Sequence, residues 1–592
     1  MSRRDALVAG LIAGLLVVLL WPLARQGVDS HHDGIMLKPA LDVLSGQVLF
    51  RDTFTQYGAL TTYLQAAVLW FQPTLVALRL MTVAAYALAL FFLYATWREI
   101  LPRSLTVLAC GLFALFIPGY EKNWLDQYWM LLPWSSVYAL VFQGLGLYAF
   151  SRIVRDTAAV RWGAVLGAAC ACTFWCRQPV GIIMTGCAGA SWLALQWAGW
   201  TPVNATRRAI VGATFAGFVA VNALLMGSVV LTGALPEWWY QNFIWPSKWA
   251  QGSENVSWGL FVSYFVHPKS GAGLLVLLVA LFAPGLLQRA GRGLVPRHQL
   301  YYYLVLAAAL AWQHERVLDL LDLRAGGWTS LLPVLVFGQA LVSLGLVFWP
   351  RGKPKTTEYY LVAALAAQAA GSVLQYYPVP DSWHVLWALA PGFGLAVYIL
   401  WRSARWTVPV ATLVLTAAFV PSVWAKLQSA RQSLARPLVT LEQPTVLRGI
   451  RVPAAQAESF RRITSVLEKI ERHQPGIPSA LIGNDALFLC FTQNRTNPTP
   501  YYVTWIGLAD QPMNQKRWNY IQSVRPLLFL HKARWEAVND FYRRAHYLPV
   551  LYVEEEALEI AVPQELADAM GLKVYGVELH ASEGQAGQPP KQ

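Results

Sequence analysis

The sequence predicts an α-helical polytopic membrane protein carrying a small α/β unit at its C-terminal end. Three observations predict this. Only 13% of the 592 residues are charged and 56% are hydrophobic, whereas soluble domains carry roughly 25% charged residues. Apolar runs long enough to cross a bilayer, about 17–25 residues each, recur up to about residue 424. Beyond that point the apolar runs shrink to strand length and polar residues separate them.

The first run, Ala6 to Ala24, follows Ser2-Arg3-Arg4 and is not trailed by a small-x-small cleavage site, so it reads as an uncleaved anchor. Further spans are expected near 74–96, 102–118, 130–150, 162–176, 179–198, 209–232, 271–288, 299–313, 328–349, 358–375, 385–401 and 406–424, about thirteen in all. Loop charges test the count. With Arg3 and Arg4 inside, the inner loops are Arg98–Arg103, Arg152–Arg161, Arg207-Arg208, Arg289–Arg297, Arg351–Lys355 and Arg402–Arg405. All are basic, as the positive-inside bias requires. Dropping the short run 299–313 would throw "RGKPK" outside, so it is kept. The net charge of +14 therefore reports orientation in membrane lipid and gives no support to a nucleic-acid partner. Of six cysteines, five lie in apolar runs and Cys490 stands alone in the tail, which leaves no disulfide framework.

The chain divides at about 424: a membrane unit, 1–424, and an extracytoplasmic α/β unit, 425–592. In the outer segment 27–73, Ile35, Leu37, Leu41, Leu44 and Val48 recur at helical spacing, and Thr53-x-x-Gln56 has the form of a capping box before a second amphipathic run. Two helices lying in the interface plane are expected there. In the tail, a helix near 455–473 precedes the strand-like runs "SALIG", "PLLFLH", "LPVLYVE" and "LEIAVP", with a helical "ARWEAVNDFYRRA" between the second and third.

The nucleotide P-loop, the zinc-protease HExxH and the GxSxG nucleophile elbow are all missing from the sequence. What the sequence offers instead is a set of ionisable residues on one membrane face. Asp33 follows the first span in "HHDG". Glu121 and Asp126 occupy the short loop "PGYEKNWLDQYW". Arg177 interrupts "CTFWCRQPVGIIM", Lys248 sits in "WPSKW", and Asp381 and His384 in "PDSWHVLW". A charge at membrane depth costs about 2.5–3.5 kcal/mol on insertion scales, so each needs a reason. Carboxylates that deprotonate an acceptor hydroxyl, with cations on a departing phosphate, suit this inventory.

The first span, "HHDGIMLKPALDVLSGQVLFRDTFTQYG", the paired interface helices and the acidic second outer loop together resemble the GT-C membrane glycosyltransferases. That superfamily includes protein O-mannosyltransferases, aminoarabinose transferase and the oligosaccharyltransferase catalytic subunit. "GNDALFLCFTQNRTNPTPYYV" is similar to a segment of the C-terminal domains of bacterial members. The chain departs from the oligosaccharyltransferase pattern: its tail has no WWDYG, and Glu121 and Asp126 are five apart where that pattern has Asp-x-Asp. The resemblance implies a polyprenyl-phosphate sugar donor, a glycan, lipid or protein acceptor, and an active site on the extracytoplasmic side of a bacterial plasma membrane. It assigns Asp33 to activating the acceptor, and Glu121 and Asp126 to orienting it or holding a divalent metal ion, the one cofactor in view.

Each assignment has a plainer counterpart. Asp33 has the residue type of an N-cap for a helix starting near Ile35, although Met36 stands where a capping box has Glu or Gln. Glu121 and Asp126 double as interfacial charges beside Lys122. Arg177 is either a snorkelling anchor or the phosphate ligand, with Lys248 as a second cation. Lys38 pairs with Asp42 one turn on. His384 is a candidate substrate contact. His31 and His32 are candidates for the acceptor entrance, since adjacent residues do not normally converge on one ion. The alternative function is a lipid-linked saccharide flippase or other transporter, which should show mid-span charges and an internal repeat.

Overall fold

The computed structural model describes residues 2–117, 120–121, 129–252, 305, 356–376, 382–403, 407–483, 485–492, 511–531 and 545–574. Helix α1 (Arg3–Leu20) leads into the first loop, which holds α2 (His32–Leu44) and α3 (Ala59–Phe71). Then follow α4 (Leu75–Trp97), α5 (Arg103–Phe116), the two-residue strands β1 (Tyr120–Glu121) and β2 (Trp129–Met130), α6 (Ser135–Val154), α7 (Ala159–Cys176), α8 (Gln178–Trp197) and α9 (Arg207–Leu231). Short helices α10 (Leu235–Trp239) and α11 (Trp245–Gly252) flank one π-helical turn. Next come α12 (Thr357–Ser372), α13 (Ser382–Leu389), α14 (Phe393–Ser403) and α15 (Val408–Leu434).

Six of these stretches, 3–25, 75–97, 135–154, 159–176, 178–197 and 207–231, are long and apolar enough to cross a membrane. Each lies within a few residues of an expected span. The spans expected at 271–288, 299–313 and 328–349 lie outside the described residues, Val305 apart. Helix α4 is the hub: it packs on α1, α5 and α6, and most of its side chains are buried. Helix α9 is the opposite case. It buries only Ile210, Leu225 and Val229 and exposes Phe215, Leu224 and Leu231, an outward apolar surface whose natural solvent is lipid.

The basic loops meet at one end of the bundle. Asp5 in the first turn of α1 accepts from Arg98 at 3.1 Å and Arg103 at 2.8 Å, and Glu99 lies 3.6 Å from Arg152 and pairs with Arg155. At the opposite end lie the first loop and the turn between α7 and α8. There α2 is buried from Asp33 to Asp42, so it is a core helix rather than one floating in an interface. The Lys38–Asp42 pair forms as expected, at 2.6 Å and shut away from solvent. The Thr53-x-x-Gln56 capping box does not form: α3 begins at Ala59, Thr53 donates to Asp42 at 2.6 Å, and Gln56 donates to the Tyr57 hydroxyl. Asp42, carrying a full charge, outbids a backbone N–H for the Thr53 hydroxyl.

After α15, β3 (Val439–Thr440) pairs with β4 (Arg451–Val452), followed by α16 (Ala454–His473). The four strands expected in the tail are present as β5 (Ser479–Ile482), β6 (Leu527–His531), β7 (Tyr547–Val553) and β8 (Leu558–Pro563), in the order β5-β6-β8-β7. Strands β5 and β6 are parallel and joined through α17 (Gln511–Val524); the other pairs are antiparallel, and α18 (Gln564–Ala569) closes the unit. The helix expected at 533–545 falls outside the described residues save Ala545. The sheet unit shares its core with the first loop: Val28, Met36, Leu37 and Leu41 belong to the same buried cluster as Phe460, Leu487, Phe529 and Ile560.

A candidate active site between the first loop and the helix ends

The turn before α2 is built by its own acids. The Asp29 carboxylate accepts from the His31 N–H at 3.0 Å and the His32 N–H at 2.7 Å, satisfying donors that the start of a helix leaves open. Asp33, for which capping was the plainer of two expected roles, lies inside the first turn and reaches back to accept from the Asp29 N–H at 2.9 Å. Its side chain is fully buried against Arg79 of α4, also fully buried, with Nη2 to Oδ2 at 2.6 Å and Nε to Oδ1 at 3.4 Å. Arg79 Nη1 donates to the Gln26 and Gly27 carbonyls at 2.8 and 2.9 Å, and Nη2 lies 3.7 Å from the Met130 sulfur. An arginine near a helix N-terminus opposes the macrodipole, which makes Asp33 its necessary counter-charge. Burial holds the Asp33 carboxyl above its ordinary value, against the opposing pull of Arg79 and the Asp29 N–H.

Gly34 does not turn the chain, as it sits inside α2; it lets two backbones touch. A Cβ there would lie 2.2 Å from the Leu487 nitrogen, in the 3-10 turn Ala486–Cys490 of the sheet unit.

His32 faces the other way. It is 28% exposed, its Nδ1 lies 3.3 Å from Asp29 Oδ2, and its ring tilts over Trp134 with centroids 5.4 Å apart. Trp134, at the start of α6, packs on the buried Trp387 of α13 at 5.1 Å. Arg177 lies over the opposite part of this aromatic group, its guanidinium carbon 5.4 Å from the Trp387 centroid, and it donates to Ser136. His32 and Arg177 are thus two indole rings apart.

Arg177 is the extended residue between α7 and α8, with Pro179 in the first turn of α8. Proline is preorganised for a helix start and defines where α7 ends and α8 begins. Gly58 secures the turn: its N–H donates to the Cys176 carbonyl at 3.1 Å, and a Cβ on it would strike the Trp175 carbonyl. Arg177 therefore stands at the N-terminus of a 20-residue helix, where aligned N–H dipoles add to its charge in attracting an anion. Tyr57 lies within electrostatic reach of it, its phenol pushed up by burial and eased down by Arg177.

The other expected residues fall into three groups. Glu121 is placed on β1 opposite Trp129, one register step from Met130, which touches Arg79. His384 is placed on α13, one turn before Trp387. Lys248 is exposed on α11 and lies 5.5 Å from the Tyr240 ring, outside the His32–Trp134–Trp387–Arg177 series. Asp126 and Asp381 lie outside the described residues. Among the described residues, no three His, Cys, Asp or Glu side chains converge to hold a metal ion; of the pair expected to hold one, Asp126 lies outside the described residues. Asp29, Arg79, Trp134 and Trp387 were not singled out from sequence. Arg79 carried a usable signal, a lone charge inside an apolar run.

No family profile and no curated protein matches the chain. Among solved structures it is similar to the oligosaccharyltransferase of Archaeoglobus fulgidus in complex with Zn and sulfate, at 13% identity over 95% of this chain and 73% of that one, TM-score 0.47. The same enzyme tethered with an acceptor peptide gives 13% identity, coverage of 99% and 81%, and TM-score 0.48. ArnT from Cupriavidus metallidurans bound to undecaprenyl phosphate gives 12% identity, coverage of 95% and 98%, and TM-score 0.44. At such identities and TM-scores, the assignment of function rests on the side chains themselves.

Proposed function

We propose that the chain is an integral membrane glycosyltransferase of GT-C type. It moves a sugar from a polyprenyl-phosphate donor to a hydroxyl on a glycan, lipid or protein at the extracytoplasmic face. The observation that carries this reading is Arg177. A half-buried guanidinium at a helix N-terminus, laid over an indole and two rings from an acid-supported imidazole, suits a phosphate with an apolar tail and a sugar head. Aromatic faces accept both sugar and isoprenoid.

The residues divide the reaction as follows. Arg177 and the α8 N-terminus hold the donor phosphate and stabilise the charge it gains as the sugar C1–O bond breaks. His32, with Asp29 Oδ2 3.3 Å from its Nδ1, takes the proton of the attacking hydroxyl as the new C1–O bond forms. Asp33, expected from sequence as the base, is assigned to holding this turn, because Arg79 and the Asp29 N–H already occupy its oxygens. Glu121 and Asp126 are proposed to orient the acceptor, and His384 to contact the sugar.

The test is lipid extraction from purified protein, followed by mass spectrometry. Polyprenyl phosphate, or its sugar conjugate, should copurify with the natural chain and be depleted in Arg177→Ala. Equal recovery from both proteins would remove Arg177 from the donor site and the reading with it.

A further inference from the structure

The turn between β7 and β8 carries three successive glutamates, Glu554 to Glu556. Such a run on a hairpin tip would ordinarily face water. Glu556 is instead 5% exposed and points into the first loop. Its Oε2 accepts from the Ser30 hydroxyl at 2.8 Å and its Oε1 from the Gln456 side-chain amide of α16 at 2.6 Å. The Ser30 carbonyl in turn accepts from the Leu487 N–H at 3.2 Å. Ser30 is the residue between Asp29, which caps α2, and His31. Two points of the sheet unit therefore grip Ser30, inside the turn that carries Asp29 and His32. Ala557 adopts φ +46° directly after Glu556, and its N–H closes the turn on the Glu554 carbonyl at 3.0 Å. Burying a carboxylate on a hairpin tip is costly unless it is fully bonded. Here one oxygen holds Ser30 of the first loop and the other is held by Gln456 of α16.

We infer that Glu556 is a positioning residue of the active site: the β7–β8 turn reaches across to Ser30 and fixes the Asp29–His32 turn for catalysis. This rests on the proposed function for its consequence, though not for its mechanics. Glutamine in its place can still accept from Ser30 and can donate to Gln456 once that amide is turned over, whereas alanine can do neither. A misplacement of about 1 Å in a reacting group can cost on the order of a hundredfold in rate.

The experiment uses the full chain in detergent and compares Glu556→Ala, Glu556→Gln and Ser30→Ala with the natural protein. Hydrogen–deuterium exchange of peptides covering 27–37 and 547–563 is the first readout; kcat and KM for sugar transfer are the second. Expected are faster exchange at 27–37 in Glu556→Ala and Ser30→Ala, unchanged exchange in β7 and β8, and a kcat lower by about ten- to a hundredfold with donor KM little changed. Glu556→Gln should lie near the natural protein in both readouts, and combining Ser30→Ala with Glu556→Ala should cost no more than either alone. Unchanged exchange at 27–37, or loosening spread through the sheet, would overturn the inference whether or not transfer is detected. Faster exchange with natural kcat would overturn the positioning role. Absence of transfer by the natural protein would count against the proposed function, leaving the exchange result to decide the grip on Ser30.

Discussion

The first turn of α2 has two sides, and they are built on opposite plans. On one side Asp33 and Arg79 are wholly buried, and Arg79 also holds two backbone carbonyls. On the other, His32 and Arg177 are half-buried and separated by indole faces. A saturated buried pair has no capacity left for a substrate, and its loss is a loss of structure. Burial thus sets the acid that builds the turn apart from the groups proposed to act there.

The largest expected effect breaks the closed side. Arg79→Leu strands the Asp33 charge and should cost about 3–5 kcal/mol, as removal of one partner of a buried pair does. Replacing both, Asp33→Asn with Arg79→Gln, should recover much of that loss; thermal unfolding in detergent measures it. Next is the open side. Arg177→Ala removes a charge-assisted contact worth about 1.5–3 kcal/mol, so polyprenyl-phosphate affinity should fall roughly ten- to a hundredfold with the unfolding midpoint nearly unchanged. Gly34→Ala comes third. It drives a methyl into the Leu487 backbone and should destabilise by about 1–3 kcal/mol, seen as earlier proteolysis between the first loop and the sheet unit.

The smallest effect is a control. Glu565 pairs with Arg525 at 2.9 Å, but its side chain is 75% exposed. The Arg525 hydrogen bond holds its carboxyl below the usual range. Whatever stability this adds is present above the ordinary glutamate pKa and is lost as pH falls through the lowered one. Glu565→Gln should change neutral-pH stability by only about 0.2–1 kcal/mol, against several for Arg79→Leu.

Much of the fold could be read from pattern, because span and strand signals are local. Helices α1, α4 and α6 to α9, strands β5 to β8, and the Lys38–Asp42 pair all follow from periodicity or spacing within a few residues. The site was less legible because its pairings are remote. Asp33 meets an arginine 46 residues away, and a solitary Arg79 within a span reads equally as an anchor. Trp134 and Trp387 come from opposite halves of the chain, in a sequence where 27 tryptophans make any one look like interface belt. The Thr53-x-x-Gln56 pattern failed because the helix starts later, at Ala59, and Asp42 takes the Thr53 hydroxyl.

In the proposed reaction His32, rather than Asp33, is the base. The most direct test of that assignment is kcat per folded molecule for His32→Asn and Asp33→Asn, with the folded fraction measured alongside. His32→Asn should fold normally and lose transfer by about 10²–10⁴-fold. Asp33→Asn should lose folded yield, while its folded fraction still turns over. A well-folded His32→Asn protein at the natural rate, or a fully folded Asp33→Asn protein without transfer, would contradict it.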